Sequence, residues 1–403
     1  MDTAISVLEA GGKDKLLENV DLSSNEEAQH SLFLWLIDPG RLIIFFISLF
    51  LIYNGSQRAV KLDRDSKDNP MAEGVQDLTC YHVVLMPVIG SVMLLTMFYF
   101  FEYIQYVYII MCVVVSVTAF INFIYPLLTW TQDKLQLRDD RLPLLTAVVL
   151  SITMATAWVL TGHWLCLDAL GMALSVMMIQ FVRVPSLKVA TLLLLGLLVY
   201  DIFWVFYSTS IFNANVMVEV AIKKADNPVA MMGEKLNLPS LIKSRPPLSI
   251  PGKLIVPSFF QDKSFAMLGL GDIVLPGLLL CFAMRFDSES RSVNLHGSAH
   301  SGGGLTRYIL HCRRWSYFTV AMIGYAIGLV TAGLIADLFR AAQPALLYLV
   351  PGVLIPLFVK AILQGDFRAM WAGPFTKPPL ISLETDKRGY HRLGQYSSSI
   401  LPS

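Results

Sequence analysis

Charged side chains are scarce in this sequence. They make up 15% of its 403 residues, whereas a soluble domain usually carries about 25%. Hydrophobic residues make up 55% and are concentrated in long runs. This composition excludes an ordinary soluble globular protein and predicts a polytopic protein of the lipid bilayer. The formal net charge of +1 gives no reason to expect a nucleic-acid partner.

Cysteines are also few, and their arrangement carries no chemical signal. There are five of them, an odd number, and none forms a CxxC pair. The pattern therefore favours neither a disulfide framework nor a metal site, and no cofactor is expected. Residues 1–30 lack a basic segment ahead of an apolar run, so we do not expect a removable signal peptide.

The apolar runs predict an all-α fold with nine transmembrane helices. A helix is the expected form because lipid offers no partner for unpaired backbone groups. The spans are expected near residues 33–53 (starting at Phe33 or Leu42), 82–101, 104–130, 144–160, 164–181, 192–212, 265–286, 316–338 and 344–363. A polar loop is expected after the first span, from Asn54 to Asp77.

Three regions follow from these spans. Residues 1–32 form an acidic segment, residues 33–364 form the nine-helix domain with a long loop at 213–264, and residues 365–403 form a polar tail. Lys and Arg are concentrated in the tail and in the loops after the first, third, fifth and seventh spans. This bias predicts a lumenal N-terminus and a cytosolic C-terminus.

Two of the apolar runs each contain one acid at matching depth. Asp201 lies 13 residues after Lys188, and Asp272 lies 13 residues before Arg285. If both basic residues mark the same membrane face, both carboxylates lie about 20 Å from it, at 1.5 Å per helical residue. An acid inside a span is costly, so two at one depth indicate a functional site.

Paired carboxylates are typical of aspartyl proteases. Two such groups a few ångströms apart share a proton, so that one activates water while the other protonates the carbonyl oxygen. Three alternatives remain open from the residues alone: structural hydrogen bonds or a proton relay, a carrier or channel that binds a proton or cation between the two acids, and a scaffold that acts without catalysis.

Two further motifs accompany the acids. Gly269 and Gly271 flank Leu270 directly before Asp272, where they allow another backbone to approach, although ordinary helix packing explains such glycines as well. Pro344-Ala345-Leu346 begins the last span, and a proline at a helix start is common.

Together these motifs resemble the GxGD intramembrane aspartyl proteases, the signal peptide peptidase and presenilin families. The matching residues, in the expected order on the sixth, seventh and ninth spans, are Tyr200-Asp201, Gly269-Leu270-Gly271-Asp272 and Gln343-Pro344-Ala345-Leu346. The surrounding stretches are most similar to the short signal peptide peptidase-like 3 subfamily.

The resemblance implies a presenilin-like fold and a set of residue roles. Asp201 and Asp272 are expected to be catalytic. Supporting roles at the active site are expected for Tyr200, Gly269, Leu270 and Gly271, and substrate binding is expected for Gln343, Pro344, Ala345 and Leu346.

The resemblance also implies substrates and a location. The substrates are type II membrane proteins, including Golgi glycosyltransferases whose ectodomains are shed. The Golgi is the expected compartment, with the endoplasmic reticulum or plasma membrane as alternatives. An alternative function is cleavage of signal peptide remnants in the endoplasmic reticulum. The sequence leaves open whether the chain forms a homo-oligomer.

A substrate helix must unwind before cleavage, and its freed backbone groups then need partners. Residues Lys253 to Val256 alternate and are β-branched, so they predict a short strand to which an extended substrate could add. The alternative is a structured connector without substrate contact. Other polar residues in or near spans, including Asp168 and Asp337, are interpreted as snorkelling or capping groups.

Overall fold

The structure is a computed structural model, and it describes residues 38–68, 76–135, 141–213, 215–223, 248–249, 252–257, 265–297, 316–339 and 343–373. In chain order its elements are α1 (Pro39–Asp68), β1 (Gln76–Asp77), α2 (Cys80–Tyr99), α3 (Phe101–Leu135), α4 (Leu142–Thr161), α5 (Trp164–Phe181), β2 (Val182–Arg183), α6 (Leu187–Ile202), a π-helix (Phe203–Tyr207), α7 (Ser208–Phe212), α8 (Val216–Ile222), β3 (Lys253–Pro257), β4 (Phe265–Gly269), α9 (Leu270–Gly297), α10 (Tyr317–Phe339), α11 (Leu346–Gln364) and α12 (Phe367–Ala372).

The predicted fold class, a mostly helical polytopic membrane protein, is confirmed. Among the described residues, eight helical segments are long and apolar enough to cross a membrane: α1 to α5, the segment that begins with α6, α10 and α11. The ninth long helix, α9, carries three charged residues in its first 18 positions, Asp272, Arg285 and Asp287. The count of nine spans therefore stays a prediction.

Helix α1 is much longer than the predicted first span. The polar residues from Asn54 onward predict a loop, but the helix continues to Asp68. Its polar end has charged partners, because Asp63 forms ion pairs with Arg183 after α5 and with Arg285 of α9. Burial lowers the pKa of the Arg183 guanidinium, and the charge of Asp63 opposes that shift. The charged residues that predicted a loop therefore form ion pairs that connect three elements.

Helix α3 contains Pro126, which has no N–H to donate to the carbonyl of Asn122. Arg58 of α1 supplies the missing donor. Its Nη1 donates to the Asn122 oxygen and its Nη2 to the Phe123 oxygen, both at 3.0 Å. The proline therefore links α3 to α1.

Helix α9 is the centre of the bundle. It packs against α1, α5, α6, α10 and α11, and every residue from Leu278 to Ala283 is buried. The predicted start of this span at Phe265 is wrong, because Phe265–Gly269 form strand β4 and the helix begins at Leu270. Strand β4 pairs antiparallel with β3.

Helices α10 and α11 pack closely because glycines meet at their crossing. A Cβ at Gly328 would lie 3.0 Å from the backbone oxygen of Tyr348, and one at Gly352 would lie 2.9 Å from that of Gly324. Such small residues let two membrane helices approach with backbones nearly in contact. This contact sets the position of α11, whose first residue belongs to the site described next.

Candidate active site

Asp201 lies in the last turn of α6 and is 5% exposed. Its Oδ2 accepts a hydrogen bond from the backbone N–H of Leu346, 3.3 Å away. Leu346 is the first residue of α11, so its N–H has no acceptor within its own helix. The structure thus brings the Tyr200-Asp201 motif together with the Pro344-Ala345-Leu346 motif.

The backbone changes to a π-helix at Phe203, two residues after Asp201. Two side chains hold this stretch: Asn215 donates to the Val205 oxygen at 3.0 Å, and the Trp204 indole donates to Ser91 Oγ at 3.0 Å. The ring of Tyr200 lies against Trp204, with ring centroids 6.4 Å apart. π-Helical turns are frequent at functional sites, and no residue pattern in the sequence indicated this one.

Asp272 is the third residue of α9 and follows β4 with only Leu270 and Gly271 between. A Cβ at Gly269 would lie 3.1 Å from Asp272 Oδ2, so any other residue there would crowd the carboxylate. A Cβ at Gly271 would come no closer than 4.0 Å to a neighbouring atom, Leu275 Cδ1. Leu270 is buried against α5 at Gly171. Of the two glycines, only Gly269 occupies a position where a larger side chain would crowd a neighbouring atom.

The two acids are neighbours in the interior of the bundle. They come from different helices, α6 and α9, which pack against each other, and they are close enough to interact electrostatically. Asp201 is buried, whereas Asp272 is partly exposed and faces a cleft. Two carboxyl groups that interact in a poorly solvated interior do not both ionise easily.

The cleft beside Asp272 has a volume of about 600 Å³. Its walls are the start of α1, all of β4, the second half of α10, and Gln343 and Ala345. Arg41 and Asp337, which form an ion pair between α1 and α10, are among its lining residues. Asp337 thus has an ion-pair partner on another helix.

The strand predicted at Lys253–Val256 is present as β3, but its outer edge is covered. The register and the hydrogen bond from Leu270 N–H to Gly252 O direct the N–H of Ile255 away from β4. That N–H donates to Oδ1 of Asp168 on α5, 2.8 Å away. Because this edge is already bonded, β3 is not the docking strand. The new hypothesis is that its partner strand, β4, is.

Strand β4 presents its outer edge to the cleft. By the same alternation, the backbone groups of Phe265, Met267 and Gly269 point away from β3. Met267 is 60% exposed. Among the described residues, no backbone hydrogen bond from another element reaches this side of Met267.

Asp168 was misread as a capping or snorkelling group. It is 6% exposed on α5, and it holds β3, whose partner β4 leads into Asp272. The sequence did contain a signal, because an acid four residues into an apolar span is costly unless it has a partner. The partner is a backbone group 87 residues away, which no local pattern identifies.

Comparison with known proteins agrees with this architecture. The signal peptide peptidase family model matches residues 71–377. Signal peptide peptidase-like 1 of Arabidopsis thaliana is 31% identical, over 86% of this chain and 96% of the relative. Signal peptide peptidase-like 3 of the same plant is 33% identical over 76% of this chain and 52% of its own length. Signal peptide peptidase-like 2B of Gallus gallus is 28% identical over 86% of this chain and 58% of its own length. The chain therefore belongs to the signal peptide peptidase family of intramembrane aspartyl proteases.

Proposed function

We propose that this chain is an intramembrane endopeptidase in which Asp201 and Asp272 form the catalytic pair. The observation that carries the proposal is the meeting of these two acids, from separate helices, beside a cleft inside the membrane domain. Because like charges repel strongly in a low-dielectric interior, the pair holds one proton in its active form. The ionised acid takes a proton from the attacking water, and the protonated acid donates to the substrate carbonyl.

The neighbouring motifs support the same roles. The N–H of Leu346 fixes the orientation of Asp201, and the missing side chain at Gly269 leaves room for the carboxylate of Asp272. Gln343 and Ala345 line the cleft, where an extended substrate would contact them. These contacts fit the supporting and substrate-binding roles that the family resemblance implies.

The outer edge of β4 is the docking edge in this proposal. A substrate segment that unwinds loses its helical hydrogen bonds, and pairing with β4 replaces them. The same pairing delivers the segment to Asp272, which lies three residues beyond the last residue of β4. Asp168 covers the outer edge of β3, so an extended substrate can pair only with β4.

A proline at position 267 tests this edge. Met267→Pro removes the outward N–H of β4 and leaves the bonds to β3, which are made by Leu268 and Ala266. We expect a severe loss of substrate cleavage while a small transition-state analogue still labels the site. Met267→Ala is the matched control, since it keeps the N–H and should cleave far better. Equal activity of both variants would remove β4 from the docking role.

The proposed substrates are type II membrane proteins, with Golgi glycosyltransferases as the favoured group and signal peptide remnants as the alternative. We further propose assignment to the signal peptide peptidase-like 3 subfamily, a Golgi location, a lumenal N-terminus and a cytosolic C-terminus. The similarity of local stretches to that subfamily and the distribution of Lys and Arg support these assignments.

The central experiment uses full-length protein reconstituted in lipid with a purified type II membrane substrate. Asp201→Asn and Asp272→Asn should each abolish cleavage and leave the protein folded, because removing a charge from the membrane interior does not destabilise the helices. A transition-state analogue of aspartic proteases should block the wild type. Substantial cleavage by either variant would refute the catalytic assignment, and proton or cation flux through the wild type would favour a carrier instead.

A further inference from the structure

Pro276 interrupts the hydrogen-bond ladder of α9 one turn after Asp272. A proline has no N–H, so the carbonyl four residues earlier has no donor within the helix. In α9 that carbonyl belongs to Asp272. An orphan carbonyl in a membrane interior costs several kcal/mol because water is not there to bond it. The proposed catalytic acid is therefore also a residue whose backbone its own helix cannot satisfy.

Tyr325 of α10 supplies the missing donor. Its hydroxyl donates to the backbone oxygen of Asp272 over 3.3 Å. The side chain is 0% exposed, and Ser48 of α1 lies within hydrogen-bonding reach of the same hydroxyl. A buried tyrosine hydroxyl needs a polar partner, and here Ser48 and the peptide that carries the acid are both within reach.

We propose that Tyr325 is a positioning residue for Asp272, an inference that rests on the proposed catalytic function of that acid. The orientation of the Asp272 peptide decides how its Cα–Cβ bond points towards Asp201 and past Gly269. The Tyr325 hydroxyl fixes this peptide from α10 in place of the helical bond that Pro276 removes. The first turn of α9 is thereby attached to α10, and the geometry of the acid pair depends on that attachment.

The test begins with Tyr325→Phe, which removes one oxygen atom and keeps the packing of the ring. With reconstituted protein and a type II membrane substrate, we expect kcat to fall about tenfold, the rate equivalent of about one hydrogen bond. KM should change less than about twofold, because the hydroxyl acts on the acid and does not contact substrate.

A second substitution makes the test specific for the carbonyl. Pro276→Ala restores an N–H that can donate to the Asp272 oxygen within α9. In that background, Tyr325→Phe should change kcat by less than about twofold, since the hydroxyl is no longer the needed donor. Thermal unfolding of the four proteins should show the same coupling, and this measurement does not require activity.

The chain offers a matched control on the same helix. Tyr317, the first residue of α10, is 2% exposed, and its hydroxyl donates to Asp366 Oδ2 at 2.8 Å. Tyr317→Phe therefore also removes a buried tyrosine hydrogen bond. It should lower the unfolding temperature without lowering kcat, and its effect should be the same with Pro276 or alanine.

The outcomes separate this inference from the proposed function. A Tyr325→Phe variant with wild-type kcat, or with equal losses in both Pro276 backgrounds, overturns the positioning role. If Asp201→Asn or Asp272→Asn still cleaves, the proposed function fails instead. In that case the coupling between Tyr325→Phe and Pro276→Ala in thermal unfolding still tests whether the Tyr325 hydroxyl takes the place of the hydrogen bond that Pro276 removes.

Discussion

Replacing Gly352 with alanine is a sensitive test of how the bundle positions the site. The new Cβ would lie 2.9 Å from the backbone oxygen of Gly324 and 3.3 Å from the Cα of Gly328. Carbon atoms prefer about 3.5–4.0 Å, and the opposing atoms are backbone, which cannot rotate away. Helix α11 must therefore move away from α10 by about 0.5 Å.

This movement reaches the acids because α11 begins at Leu346. The Leu346 N–H already donates to Asp201 over 3.3 Å, so a shift of about 0.5 Å takes the pair beyond the normal range of a hydrogen bond. A misplacement of about 1 Å can cost about 100-fold in rate. Half of that shift corresponds to about tenfold, and we expect Gly352→Ala to lose cleavage by that factor.

The assay is the cleavage rate of a type II membrane substrate by reconstituted protein, with thermal unfolding recorded in parallel. Gly196→Ala on α6 is the matched control, because its Cβ would meet Pro87 Cγ at 3.6 Å, an ordinary contact. Gly324→Ala should be worse than Gly352→Ala, since its Cβ would overlap the Gly352 backbone oxygen. If Gly352→Ala cleaves as well as Gly196→Ala, α11 does not position the site through this crossing.

Further predictions follow from other contacts. Asp168→Ala removes the acceptor of the Ile255 N–H and should lower cleavage several-fold, whereas Asp168→Asn keeps an oxygen there and should stay near wild type; equal losses would contradict the hydrogen-bond explanation. Arg58→Leu leaves the Asn122 carbonyl without a donor and removes a second hydrogen bond to the Phe123 carbonyl, so it should destabilise the fold by about 2 kcal/mol in thermal unfolding; an unchanged midpoint would refute this. Asp63→Ala leaves two arginines without their shared carboxylate and should lower the free energy of unfolding by about 3–5 kcal/mol. A variant that unfolds like the wild type would contradict this prediction. The cleavage rate should pass through a maximum with pH, because the active pair holds one proton; a flat profile with chemistry limiting would argue against a shared proton.

The sequence was sufficient to single out two acids that the structure brings together and to give the order of the helices. An apolar run with one acid is an unusual local pattern, and the interval from each acid to a basic residue placed both at one depth. The span Trp164–Phe181 was predicted with the same ends that the structure has. Each of these features depends on hydropathy or on spacing along the chain, which a single sequence displays directly.

Other parts of the site depend on contacts between distant residues and could not be predicted. Phe265–Gly269 are apolar enough to extend the following span, and they form a strand because β3 pairs with them. Asp168 resembled a cap because its partner, Ile255, lies in another element. The polar end of α1 resembled a loop because the charges that satisfy Asp63 come from two other elements.

Prolines inside the helices give a physical rule for some of these contacts. Each removes one N–H, and in lipid the released carbonyl must find a donor or a close neighbour on another helix. Pro126 releases the Asn122 carbonyl, which accepts from Arg58. Pro276 releases the carbonyl of Asp272, which accepts from Tyr325. In both cases the carbonyl four residues before the proline accepts a hydrogen bond from a side chain on another helix.

The third case has no side-chain donor. Pro356 on α11 releases the carbonyl of Gly352, and this oxygen faces Gly324 so closely that a Cβ there would overlap it. Because glycine exposes its Cα–H groups, such a carbonyl can still gain a weak Cα–H···O contact, which recurs at helix–helix interfaces. The same proline therefore explains why α10 carries glycine at this crossing, and why α11 approaches closely enough for Leu346 to reach Asp201.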